Sequence, residues 1–170
     1  MKRFLGIAAL ALCMVLPGQS QSFKFGHINS DELIQALPEF DSATKKLEKY
    51  RQELVNQIEL IQVELNNKND AYTKEAKNLT DLVKQTKEQE LFDINKRLQE
   101  FQQNASQDFQ NKQVELFQPI YQKVDKAIKE VGKENGFLYV FDVAKGSLVY
   151  FDETKSTNIM PLAKTKLGLK

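Results

Sequence analysis

The 170-residue chain has four prolines, seven glycines, one cysteine, one histidine and no tryptophan. Its turn formers are unevenly placed. From Glu39 to Gln118, 80 consecutive residues contain neither glycine nor proline. A compact enzyme of this size needs several tight turns, and glycine and proline make most of them. An α/β enzyme, a sandwich or a barrel spread over the whole chain is therefore excluded. One long helix fits the interval, or two helices joined by a single turn.

Chemistry-bearing residues are scarce as well. The one cysteine, Cys13, lies in the apolar run Phe4 to Leu16, so a chain that loses this run keeps no thiol and no disulfide. No His/Cys spacing suits a metal. Neither G-x-x-x-x-G-K-[ST] nor a strand followed by G-x-G-x-x-G occurs. His27 falls in a strand-like segment, where a structural or surface role is expected. Asp142 and Asp152 read as strand-edge and loop solvation. No catalytic residue, cofactor or metal is expected, and the chain does not read as an enzyme. An excess of one charge is also missing. Lys2 and Arg3 are the only charges in residues 1–22, which leaves 22 basic against 23 acidic residues after them. Nothing there would neutralise a phosphate backbone, so nucleic acid is not an expected partner.

Residues 1–22 have the pattern of a secretory signal peptide. Lys2 and Arg3 precede 13 apolar residues, too few to span a bilayer, and Pro17-Gly18 and small residues follow. Cleavage after Ser20 or Ser22 fits. Leu12 stands before Cys13 where a lipoprotein signal needs a small residue. Export without cysteine suits a bacterial envelope.

Beyond the leader, Phe23 to Ile28 alternates as a short strand. A helix begins near Glu32, Pro38 interrupts it, and Asp41 or Ser42 can cap a restart. Leu47, Tyr50, Leu54, Ile58, Ile61 and Leu65 then recur at spacings of three and four, with Tyr72, Ala76 and Leu79 in phase. Leu91, Ile94, Leu98, Phe101, Ala105 and Phe109 repeat the pattern. This is the narrow seam of a coiled coil, and the two seams should close on each other. Long Gln- and Asn-rich faces lie between the seam positions. Phe92 stands one place off the seam. The tip is expected near 78–81, with Thr80 or Asp81 as cap. Pro119 should kink the returning helix. Phe137 to Val143, a turn at 144–147 and Leu148 to Phe151 read as a β-hairpin, and Ile159 to Leu167 as a last helix capped by Thr157 or Asn158. The expected organisation is a signal peptide at 1–22, strand and leading helix of a body at 23–42, a coiled-coil arm at 43–118, and the returning part of the body at 119–170. The fold class is mainly α with a small β part.

This order of elements resembles the Skp/OmpH family of periplasmic chaperones. The resemblance is carried by Phe25-Gly26-His27-Ile28-Asn29, by Leu37-Pro38-Glu39-Phe40, and by Leu116-Phe117-Gln118-Pro119-Ile120 with Val124, Ala127 to Val131, Glu134 and Gly136. It implies a homotrimer whose strands form a β body, with Phe25, Ile28, Phe137, Tyr139, Phe141, Val149 and Phe151 as candidate body residues. Helical arms would then enclose unfolded outer-membrane β-barrel proteins and prevent their aggregation without ATP, in the periplasm of a Gram-negative bacterium. Pro119 is a candidate hinge for such arms. Residues 41–118 carry 12 basic and 14 acidic residues, unlike the basic members of the family, so charge does not support contact with lipid. The competing reading is an envelope spacer or adaptor that shares the coiled coil and has no affinity for unfolded chains.

Overall fold

The computed structural model describes residues 23–146 and 148–169. The expected signal peptide, residues 1–22, lies outside them, as does Ser147 of the expected turn. Strand β1 (Phe25–Ile28) leads into helix α1 (Ser30–Gln35). Asn29 caps α1. Its side chain accepts from the Glu32 N–H at 3.2 Å and donates to the Glu32 carboxylate at 2.8 Å.

Helix α2 (Pro38–Glu75) starts directly at the proline. A proline in the first turn forfeits a donor that would be unpaired anyway, and its fixed φ suits a helix start. The cap residue is therefore Leu37, not Asp41 or Ser42, and no break separates body from arm at residue 42. The 38 residues of α2 make a rod of roughly 57 Å. A 3-10 turn, Ala76–Asn78, an extended Leu79 and Thr80 reverse the chain. The expected tip at 78–81 overlaps this reversal. Thr80 caps helix α3 (Asp81–Glu134) by position, without a side-chain hydrogen bond.

Helix α3 runs for 54 residues and continues through Pro119. The missing N–H deprives the Glu115 carbonyl of its helical partner. The end of α3 is sharply made. Phe137 N–H donates back to the Gly132 carbonyl at 3.0 Å and Gly136 N–H to the Lys133 carbonyl at 3.3 Å. That closure needs a left-handed residue, and Gly136 has φ +66°.

Strand β2 (Tyr139–Asp142) pairs parallel with β1, Phe25 opposite Tyr139 and Ile28 opposite Asp142. The helical hairpin is thus the crossover that a parallel pair requires. The expected β-hairpin does not form. No strand occurs at Leu148–Phe151. Instead β3 (Ser156–Asn158) pairs parallel with the other edge of β1, giving the order β2-β1-β3. The Leu148–Phe151 run is β-prone, but only a strand on the free side of β1 brings Ile159 into the core. Ile159 N–H donates to the His27 carbonyl at 3.0 Å, and its side chain is completely buried. The last helix, α4 (Met160–Lys166), is capped by Ile159 rather than Thr157 or Asn158, although the Asn158 side chain accepts from the Met160 N–H at 2.9 Å.

One face of the sheet packs against helices. Ile28, Leu33, Leu37, Phe117, Ile120, Val124, Val131, Ile159 and Ala163 form this core. Gly26 lies close against Ile159, which caps α4, and Phe137, which follows α3. A Cβ there would stand 3.0 Å from Ile159 Cγ2 and 3.2 Å from the Phe137 ring. Val140 rests against α3 at Gly132.

Asp142 ties the sheet to α1. Its carboxylate accepts from the Ser30 hydroxyl at 2.5 Å, the Ser30 N–H at 3.1 Å and the Ala144 N–H at 3.1 Å. Partial burial opposes the charge, but these donors outweigh it and hold the carboxyl below its ordinary range. Replacing Asp142 with alanine should destabilise the protein by about 1–3 kcal/mol in urea unfolding at neutral pH. Because the folded pKa is depressed, the wild-type advantage should be full at neutral pH and shrink as pH falls below about 4. An advantage that does not change with pH would contradict the assignment.

Candidate binding surfaces of the body and arm

Alternation along a strand places residues two apart on one face. Gly26, Ile28, Val140 and Asp142 face the helices. Phe25, His27, Tyr139 and Phe141 face the other way, and no helix among the described residues covers them. Phe25 and Tyr139 stack with centroids 6.3 Å apart and planes 2° from parallel. Tyr139 and Phe141 stack at 6.0 Å. Tyr139 remains 58% exposed. Phe151 leans over His27 at 4.8 Å. The structure therefore gathers Phe25, Tyr139, Phe141 and Phe151 on one sheet face. It separates Ile28, which is buried in the core, and Phe137, which packs against it. Val149 belongs to neither group. It is completely exposed, and its neighbour Tyr150 is 82% exposed.

His27 Nδ1 lies 2.9 Å from Ser156 Oγ. Such a contact is half of a hydrolytic constellation. Among the described residues, however, no carboxylate is hydrogen-bonded to the other ring nitrogen. No group of three or more His, Cys, Asp or Glu side chains among them converges as for a metal.

The arm is two helices thick. Ile94, Leu98 and Ala105 are buried on its seam. Leu47, Leu54, Ile58, Ile61, Leu65, Leu91 and Phe101 are half-buried, because a pair of helices cannot enclose a side chain on every side. Phe92 is 62% exposed, off the seam. One flank is laced by charge. Glu64 pairs with Arg97, Lys68 with Glu90, and Glu75 with Lys87, ascending α2 while descending α3. At the root Glu39 pairs with Lys123 at 2.5 Å, which holds the Glu39 carboxyl below its ordinary range. These exposed pairs fix register more than they stabilise. Pro119 sits at the same level, beside Pro38 and Ala43.

Sequence reasoning missed β3, whose Ser-Thr-Asn carries no strand signal, and the tie from Asp142 to Ser30. The second lay in the sequence only as an acid after a β-prone run, and pairing it with Ser30 required the crossover.

A family model described as "Outer membrane protein (OmpH-like)" matches residues 24–167. Chaperone protein Skp of Yersinia enterocolitica is 26% identical over 174 residues, an alignment covering 98% of this chain and all of that protein. The family match takes in both strands of the first pair, the whole arm and α4. The chain belongs to the OmpH-like family.

Proposed function

We propose that the chain is an ATP-independent holdase of the periplasm, which keeps unfolded outer-membrane β-barrel proteins from aggregating in a space between the arms of a homotrimer. The observation that carries this reading is the partly exposed aromatic face at the root of a long arm, which no helix among the described residues covers. Parallel sheets are found with both faces covered, and here the helices of the described residues cover only one. A second and third copy supply the missing cover. The sheet order leaves β2 and β3 as its two edges, on opposite sides of β1. Copies that meet edge to edge in the same direction join head to tail, an arrangement that closes into a ring rather than a two-fold pair. The exposed apolar segment at Val149 and Tyr150 adds surface suited to a neighbouring copy.

Three arms projecting from such a ring would surround a space without a fixed pocket. Clients would be held by many weak contacts and gain avidity from the number of arms. Holding an unfolded chain lowers its free concentration and so slows aggregation. The family membership and the chaperone among the relatives support the same reading. The leader expected at residues 1–22 would deliver the chain to the compartment that outer-membrane proteins cross.

A urea-unfolded porin diluted into buffer should scatter little light when the purified mature protein is in several-fold molar excess. Undiminished scattering would exclude the holdase reading and favour the spacer. Pro119 serves in this scheme as the hinge that lets the cavity fit clients of different size, because it removes one hydrogen bond at the root of α3. Pro119→Ala should narrow the spread of arm positions in small-angle X-ray scattering. An unchanged spread would remove the hinge.

A further inference from the structure

On the flank of the arm opposite the ion pairs, α3 presents a run of uncharged polar side chains. On α3, Asn95, Gln99, Gln102, Ser106, Gln110 and Gln113 follow one another at spacings of three and four, so they share one side of the helix. All six are exposed. All six are uncharged, in a chain with 28% charged residues. At its outer end Phe92 and Asn95 share a surface depression with Asn66 and Asn69 of α2, so the uncharged flank continues across the seam.

The same spacing continues down α3 into Phe117, Ile120 and Val124, which are buried against the body. The amide line is thus the outward continuation of the side of α3 that faces the core. Beyond the body, that side overlooks the space above it.

The amides of this line are also free. None of the six takes part in a side-chain hydrogen bond among the described residues. Two other glutamines of α3 are engaged within the helix. Gln89 donates to Asp93 at 2.8 Å and Gln107 to Asn111 at 3.1 Å, each four residues on.

We propose, building on the holdase reading, that this uncharged flank is where the arm holds an unfolded polypeptide, with side-chain amides bonded to the peptide groups of the client backbone. A side-chain amide both donates and accepts. An unfolded chain presents one donor and one acceptor at nearly every residue, whatever its sequence. The line from Asn95 to Gln113 spans roughly 27 Å at ~1.5 Å per residue, matching about eight residues of extended client. Each exposed hydrogen bond replaces one to water and contributes little alone, which suits a holder that must release its client. Recognition by amides suits an arm with slightly more acidic than basic residues, since it needs no excess of one charge. It also makes binding indifferent to salt, because no client charge is neutralised.

The test uses the full mature protein and a fluorescently labelled, urea-unfolded porin, with affinity measured in 20 mM and 500 mM NaCl. Wild-type affinity should change by less than about threefold between the two, since screening acts on charges. Substituting Gln99→Ala, Gln102→Ala and Gln110→Ala together should weaken binding by about tenfold or more, through lost multivalent contacts. Gln89→Ala with Gln107→Ala, which removes amides already engaged within the helix, should stay within about twofold. Alanine has the highest helix propensity, so circular dichroism should show the arm intact in both variants. Wild-type affinity in the triple variant would overturn the amide flank and leave the holdase reading standing. A tenfold loss of wild-type affinity in high salt would assign binding to charge instead. A triple variant with reduced oligomer mass, whose binding returns at higher protein concentration, would assign the flank to packing between arms. A wild-type protein with no affinity for the porin would overturn both the flank and the holdase reading.

Discussion

The structure depends on a parallel three-stranded sheet that helices of the described residues cover on only one side. β1 is central, and both of its neighbours come from the other end of the sequence, across the arm. Strands paired in parallel cannot be joined by a tight turn, so the crossover is a necessity of the sheet. This chain has extended that crossover far beyond the body. Gly26, close against Ile159 and Phe137, leaves no room for a side chain on the covered face. The opposite face carries Phe25, Tyr139 and Phe141 in a stacked row, with no helix of the described residues over it.

The arm obeys a different constraint. Two helices bury little surface, so few side chains on the seam are enclosed, Ile94 and Leu98 among them. Helical propensity, an unbroken backbone and cross-helix ion pairs keep the rod straight enough to project. The division of the arm into a charged flank and an amide flank separates two tasks. One side sets the register of α2 against α3, and the other presents the unbonded line from Asn95 to Gln113 on α3. Pro119 stands where arm and body meet, with buried Phe117 and Ile120 on either side of it in sequence.

Much of this was legible in the sequence. The interval without glycine or proline marks the arm, and the spacing of Leu47 to Leu65 and Leu91 to Phe101 marks its seam. Local chemistry fixes the ends of these helices: Pro38 starts α2 and Gly136 closes α3. The β part was less legible, because strand propensity and strand pairing are separate matters. Leu148 to Phe151 has the propensity but no pairing position, whereas Ser156–Asn158 is polar and gains its place from the free edge of β1 and the burial of Ile159. Of the surfaces, the aromatic face could be anticipated residue by residue but not assembled. Phe25 meets Tyr139 only once the parallel register is known. The same register sends Ile28 to the opposite face.

The central claim is that the bare aromatic face is closed by further copies of the chain. Sedimentation equilibrium on the mature protein at micromolar concentration tests it most directly. The account predicts a single species of three chain masses that loses its fold when it dissociates. A folded monomer with cooperative unfolding and an exposed aromatic face would contradict it.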